Sequence, residues 1–477
     1  MYRKANRNQL SLEEFFLPFG GHLSADNRWV KMAKLMPWEM IEDLYAEAGN
    51  FVDDKKDGRP PITARIAFGA IHIKEQENLS DRGTLQYIAE NPYAQYFLGL
   101  SSFEMEPLFD NSMMTRFRKR FTPEMIEKIN EELYRRSNPP KPPDEGGNTG
   151  TMILDATVAP ADIRYPTDLS LLNECRENTE AIIDEFWEAS GLSGRRQFYN
   201  RRKARAKYLK VAKQRKPRKR QIKQGIKEQI GYVEKNLEVL DGLSPEERDT
   251  MVWLKHLSRL ETIRNVLEQQ KTMAQPGIHT VEDRIVNLRQ PHVRPIVRGK
   301  VNAPVEFGQK ISISVVDGYT FIERQSWDNF SEGITLIESA EKYKKRHGVY
   351  PKAILADKTY RNRGNINFCK MNGIRLTGPR LGRPKKEEIE ADKAQAYMDS
   401  CERNMVEGRF GIGKRRYGLD QIMARLPFTA ETEAALNVFV MNVALLLRSL
   451  LRLILNWLKR RDTGLRLEPD NYRCALA

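Results

Sequence analysis

The 477-residue sequence predicts an α/β protein preceded by an all-helical N-terminal region. Three observations carry that prediction. From about residue 28 to residue 136, apolar residues recur at helical spacing and no stretch alternates as a strand does. From residue 151 the pattern changes to short β-rich runs: TMILDATVAP (151–160), QKISISVV (309–316) and YTFIERQSW (319–327). An amphipathic segment, GITLIESAEKYKKRHG (333–348), then leads into YPKAILAD (350–357), a short apolar run of the kind found in parallel strands.

In the N-terminal region, ITARIAFGAIHIKEQ places Ile62, Ile66, Ala70 and Ile73 at helical spacing. Ser80 opens a further helix in LSDRGTLQYIAEN, Pro92 breaks it, and FDNSMMTRFRKRF (109–121) reads as a short helix with a basic face. Short helices joined by tight turns permit a helix-turn-helix, and a plain helical bundle fits the same spacing. The prolines and glycines of SNPPKPPDEGG (137–147) mark a linker. The expected organisation is therefore a helical domain over 1–136, a linker over 137–150 and an α/β domain over 151–477.

Within the α/β domain, Asp317-Gly318 joins two strands as a hairpin turn, so Asp317 is expected to be a turn residue. A long insert, about 167–277, separates the first strand from the hairpin. Its last helix is expected to open at Ser244-Pro245-Glu246-Glu247, with Trp253, Leu257, Leu260 and Leu267 on one face. Residues 430–460 form an apolar helix. Asn437, Asn442, Arg448 and Arg452 interrupt it, which favours a buried or partner-packing helix over a bilayer span, and no membrane partner is expected.

A chain of this length is expected to hold at least two domains. Its net charge is +15, and the segment from Arg195 to Lys227 alone carries sixteen Lys and Arg with no acid, more than the whole imbalance. Such a segment suits a polyanion, and Arg218, Lys219 and Arg220 stand in its densest part as candidate phosphate contacts. The four cysteines, Cys175, Cys369, Cys401 and Cys474, form no Cys-x-x-Cys pair, and no histidine stands at zinc-ligand spacing. The opening MYRKANRNQLSLEEFFLPFGG lacks the apolar core of a secretion signal. A reducing cytoplasm is the expected compartment.

Three carboxylates stand out. Asp155 lies inside an apolar strand, where an ionised group is costly unless a cation compensates it. Asp357 closes AILAD, and open α/β sheets bind ligands at the carboxyl ends of their strands. Glu407 sits among bases in CERNMVEGRFGIGKRRYGL (401–419). Convergent carboxylates are what Mg²⁺ takes, and two such ions support in-line phosphoryl transfer on nucleic acid. On a helix, Arg403 falls one turn before Glu407 and Lys414 two turns after it, where both could hold DNA phosphates. Gly408, Gly411 and Gly413 weaken that helix by about 1 kcal/mol each and are expected to allow close backbone approach. Structural alternatives stand beside each: Asp155 and Asp357 as local caps, and an intrahelical Arg403–Glu407 pair on a solvated basic face.

Arg403, Glu407 and Lys414, with three and six residues between them, resemble the R-(3)-E-(6)-K core of the Y-R-E-K signature of DDE-type bacterial insertion-sequence transposases. ILDATVAPADIRYPTDLSLLNE resembles that family's first-aspartate block, AILADKTYRNRGN resembles its second, and Trp29 to Phe121 is similar to the helical N-terminal domain of InsH-type transposases. The resemblance implies an RNase H-like core with Asp155, Asp357 and Glu407 as metal-binding catalytic residues. It also implies Arg403 and Lys414 on transposon-end DNA, and Mg²⁺ as cofactor with Mn²⁺ able to substitute. The activity implied is binding of terminal inverted repeats, strand cleavage and strand transfer, with double-stranded transposon-end and target DNA as partners. The protein would be a homodimer in the synaptic complex of a bacterial cytoplasm, associated with the nucleoid. Two departures are visible: Ser400 stands where the signature has tyrosine, with Tyr397 nearby, and Lys358-Thr359-Tyr360 follows Asp357 where glycine-tyrosine is common. The alternatives are a metal-dependent nuclease on the same core without strand transfer, and a catalytically inactive DNA-binding regulator.

Overall fold

The computed structural model describes residues 14–17, 21–48, 62–139, 147–189, 201–244, 248, 250–275, 278, 280–298, 305–378 and 388–463, with the backbone course alone at 388–389, 391–392 and 450–463. The chain divides into two compact units. One comprises residues 1–160, 310–326 and 330–477, and the other residues 161–309 and 327–329.

The first unit opens with seven helices: α1 (Arg28–Leu35), α2 (Trp38–Glu47), α3 (Ala64–Glu77), α4 (Asp81–Glu90), α5 (Pro92–Phe97), α6 (Met113–Arg120) and α7 (Pro123–Ser137). Local chemistry sets their starts. The Ser80 hydroxyl accepts from Gly83 N at 3.0 Å, and the Asn91 side chain accepts from Tyr93 N and Ala94 N ahead of Pro92 at the first turn of α5. Among the described residues of this region there is no strand, only an isolated bridge between Phe16 and Ser102. Ile62 and Ile66 are partly buried, and the deep side of α3 is Ala67, Phe68, Ala70, Ile71 and Ile73. Arg118 departs from the expected basic face of α6. It turns inward and forks onto Asp81 at 2.8 and 2.7 Å, leaving Arg116, Lys119 and Arg120 outside.

The sheet of this unit follows. β1 (Thr151–Pro160) pairs in parallel with β5 (Ala353–Leu355), and β5 pairs in parallel with β6 (Arg375–Leu376). On the other side of β1 lies β3 (Val305–Val316), which forms an antiparallel hairpin with β4 (Tyr319–Ser326). Asp317 and Gly318 join that hairpin with φ of 51° and 84°, the two left-handed residues of a tight primed turn, as expected. Asp317 also accepts a hydrogen bond from the Tyr134 hydroxyl at 2.8 Å. α12 (Thr335–His347) ends on Gly348 in the left-handed region and packs on β4. Its Arg346 pairs with Glu323 on β4 at 2.6 Å and with Glu131 on α7 at 3.1 Å. Glu127, whose Oε1 is buried near the same arginine, is pushed up to about 8 by desolvation, which outweighs the pull of Arg346.

Two long helices close the unit after α13 (Arg363–Met371): α14 (Glu388–Arg416) and α15 (Pro427–Thr463). α15 is the expected apolar helix. Residues 427–449 are long and apolar enough to cross a bilayer by length and composition alone, yet 83% of their most apolar 18 residues are buried inside the protein. Its Leu436, Phe439, Val440 and Val443 share one core with Trp29, Phe68, Phe97 and Phe121 of the N-terminal helices.

The second unit holds α8 (Asp168–Ala189), α9 (Arg201–Ala212), α10 (Lys219–Asp241) and α11 (Met251–Met273), with β2 (Arg294–Val297) antiparallel to residues 305–308. α8, α10 and α11 bury Leu172, Ile183, Val233, Leu237, Leu260, Ile263 and Leu267 together. Leu257 is 46% exposed, contrary to expectation. The inward face of α11 runs instead through His256, Leu260, Ile263, Val266, Leu267 and Gln270, which places Leu257 on the rim. α11 is capped by Thr250, and the expected start at Pro245-Glu246-Glu247 lies outside the described residues.

Candidate active site and nucleic-acid surface

The parallel pairing of β1 with β5 runs as far as Ile153 opposite Leu355; Asp155 lies two residues further on, in the middle of β1, and Asp357 lies two residues beyond the end of β5. Asp155 lies inside the apolar strand as expected, partly exposed between buried Leu154 and Ala156, which lowers its desolvation cost. Asp357 serves the local cap foreseen as its structural alternative, whereas Asp155 bonds its neighbour within β1 and caps no turn. Asp155 Oδ1 accepts from Ala156 N at 2.8 Å, and Asp357 Oδ1 accepts from Lys358 N at 2.5 Å. Tyr360, fully buried just beyond Asp357, has its hydroxyl pushed up by burial and by the carboxylates of Glu332 and Asp155.

Glu407 lies on α14, which packs against both β1 and β5. Its side chain is exposed, and the residues that turn inward are Asp399, Val406, Arg409 and Gly413. Asp399 is gripped by Arg375 of β6 through two hydrogen bonds of 2.6 and 2.9 Å. Of the three glycines expected to permit close approach, Gly413 does so, since a Cβ there would meet Leu419 Cδ1 at 2.6 Å. Gly408 has nothing within 4 Å. Among the described residues no ion pair joins Arg403 to Glu407, so the intrahelical alternative is not formed. Arg403 is partly buried, with Nε enclosed and unpartnered, and Lys414 is partly exposed two turns beyond Glu407. Ser400 and Tyr397 are both exposed.

Among the described residues, no three His, Cys, Asp or Glu side chains stand close enough together to hold a metal ion. The donor chemistry still fits a hard cation, because all three candidates offer carboxylate oxygen.

The basic run forms α9 and the start of α10, apart from residues 195–200, which lie outside the described ones. Arg218, Lys219 and Arg220 are exposed at the N-terminus of α10, and Lys210, Lys213, Arg215 and Lys216 are exposed just before them. Sequence reasoning missed Arg409, Thr320, Asn130 and the role of Asn442, which bond to one another inside the first unit. The available signal was a pair of asparagines within an apolar helix.

Residues 354–444 match the transposase DDE domain, and residues 18–120 match the transposase domain DUF772. Over these residues the chain is similar to DDE transposases of the insertion-sequence kind. Over 150 residues it is 32% identical to "Uncharacterized protein ORF8 in nfe locus" of Rhizobium meliloti, a match covering 30% of this chain and 66% of that protein. No solved structure matches the chain.

Proposed function

We propose that the protein binds the terminal inverted repeats of its element, cleaves the strands there, and joins the exposed 3′ hydroxyls to target DNA. The strand arrangement supports an RNase H-like core. In the first unit the order is β4-β3-β1-β5-β6, with an antiparallel hairpin at one edge and parallel strands at the other. The observation that carries the reading is the parallel β1–β5 pairing, whose last pair, Ile153 and Leu355, stands two residues before Asp155 and Asp357, with the Glu407 helix packed on the same two strands.

In this reading Asp155, Asp357 and Glu407 are the catalytic carboxylates and hold Mg²⁺, two ions in the complete site, with Mn²⁺ as a substitute. When bound, such ions activate the attacking oxygen and stabilise the leaving one. Arg403 and Lys414, on either side of Glu407 along α14, hold the phosphates of the reacting strand. The spacing of these three supports the Y-R-E-K branch, and residues 29–121 the InsH-like N-terminal domain. Arg218, Lys219 and Arg220 grip phosphates elsewhere on the duplex, where such contacts position the protein without reading sequence. The working form is a homodimer on paired ends, in a bacterial cytoplasm on the nucleoid.

The test is a strand-transfer assay with a labelled terminal-repeat duplex, a supercoiled target and Mg²⁺. A covalently joined product is expected. Cleavage without joining would reduce the protein to a nuclease, and end binding with neither reaction would make it a regulator.

A further inference from the structure

We infer that Arg409 is a positioning residue for Glu407, fixing the rotation of α14 over β1 and β5. The inference rests on the reading of Glu407 as an active-site carboxylate. Arg409 lies two residues beyond it and points the other way, into the protein, with 5% of its surface exposed. Its Nε donates to Thr320 Oγ1 at 2.9 Å and its Nη2 to Asn442 Oδ1 at 2.7 Å. Asn442 is itself held. It accepts from Thr320 N at 3.0 Å, and its Nδ2 donates to Asn130 Oδ1 at 2.8 Å and to Thr320 O at 2.7 Å. Asn130 closes the circuit by donating to Thr320 O at 3.1 Å. The guanidinium is thereby tied to β4, α7 and α15 at once.

This network is a poor way to gain stability. Among the described residues no carboxylate pairs with Arg409, and desolvation together with Arg448 pulls its pKa down to about 10, so it stays protonated at neutral pH inside the protein. A buried cation without an acid is destabilising relative to an apolar side chain of similar volume. What it supplies is a directional lock, because its two hydrogen bonds are satisfied only at one rotation of the helix. The other inward contacts set height and tilt: Asp399 on Arg375 before Glu407, and Gly413 against Leu419 after it. Val406 is apolar and tolerates sliding. A turn of α14 by one residue's angle would swing Glu407 by about 100° around the helix axis.

Arg409→Met keeps the bulk and removes the charge and both hydrogen bonds. The full-length protein is assayed for Mn²⁺ binding by electron paramagnetic resonance without DNA, for single-turnover cleavage at saturating enzyme, for end binding and for thermal midpoint. Mn²⁺ affinity and cleavage are expected to fall about 10- to 100-fold, the range for residues that orient metal ligands, with end binding little changed. Arg409→Lys should recover part of the loss, since an ammonium reaches one acceptor where the guanidinium spans two. Wild-type Mn²⁺ affinity and cleavage per folded molecule, with only a lower midpoint, would overturn the inference. If Arg409→Met does not fold, Thr320→Val removes the Oγ1 acceptor alone, and it should shift the same two readouts in the same direction. Glu407→Gln runs alongside. Should it leave Mn²⁺ binding and cleavage intact, the reading of Glu407 fails. Should it abolish them while the Arg409 and Thr320 variants match wild type, the positioning role alone fails.

Discussion

Replacing Arg218, Lys219 and Arg220 together with glutamine should change the salt dependence of DNA binding far more than the fold. All three are exposed, and none has an ion-pair partner among the described residues. They crowd the N-terminus of α10, where the helix dipole repels cations and attracts phosphate, so neutralising them should leave the thermal midpoint unchanged or slightly higher. Each phosphate neutralised on duplex DNA contributes about −0.9 to the slope of log K against log salt, so three lost contacts flatten it by about 2.7. Between about 50 and 200 mM salt, that difference narrows the affinity gap between wild type and variant by roughly 40-fold. Fluorescence anisotropy on random and terminal-repeat duplexes across that range measures it. The ratio between the two duplexes should stay constant, because phosphate contacts carry no sequence information. Parallel lines for the two proteins would refute the reasoning and assign the basic helix tip to another partner.

Asp155→Asn, Asp357→Asn and Glu407→Gln should each abolish cleavage and strand transfer while end binding persists, as read on labelled ends. Asp317→Asn should stay active, since asparagine also accepts the positive φ of that turn. EDTA should stop the reaction, Mg²⁺ or Mn²⁺ restore it, and Ca²⁺ permit binding with little cleavage, in the same gel assay. Gly408→Ala should raise stability by up to about 1 kcal/mol in urea unfolding, because its Cβ meets nothing and alanine favours the helix. For Glu127 the carboxyl titrates higher in the folded state than its ordinary value of 4.5, at about 8. The folded state therefore holds the proton more tightly, and this contribution to stability is full below 4.5 and lost as pH rises through about 8. The thermal midpoint should fall across that window, and Glu127→Gln, facing the same Arg346, Glu323 and Glu131, should flatten the profile.

Elements specified by neighbouring residues were legible in the sequence. Ser80 announces a helix start because its side chain acts on a backbone group within three residues, while Pro92, read as a break, also opens the next helix with Asn91 as its cap. Asp317-Gly318 announces its turn through φ alone. The strand position of Asp155 and the place of Asp357 just after a strand were visible because each follows an apolar run, and the helical setting of Glu407, only a condition in the sequence reading, is found on α14. Partners distant in the chain were not legible. Arg118 sits among bases and reads as a solvated face, yet Asp81, on another helix, turns it inward. Arg409 is hidden for the same reason, since an arginine in a basic stretch gives no sign that it points inward. Asn442 interrupts an apolar helix, and periodicity reports which face it occupies without reporting that Asn130 and Thr320 wait there.

The shared core of α15 and the N-terminal helices has a consequence for how the protein is made. Asn130 and Asn442 meet although they stand 312 positions apart, and Phe439 reaches Phe68 across a longer span still. On the ribosome the first seven helices emerge long before the helix that completes their interior, so their apolar faces wait for it. Late closure of this kind slows folding and exposes the waiting surfaces to aggregation and to chaperones. A message cut short before residue 427 would yield a chain without that keystone helix, unable to bury Trp29, Phe68 and Phe97 as the full chain does.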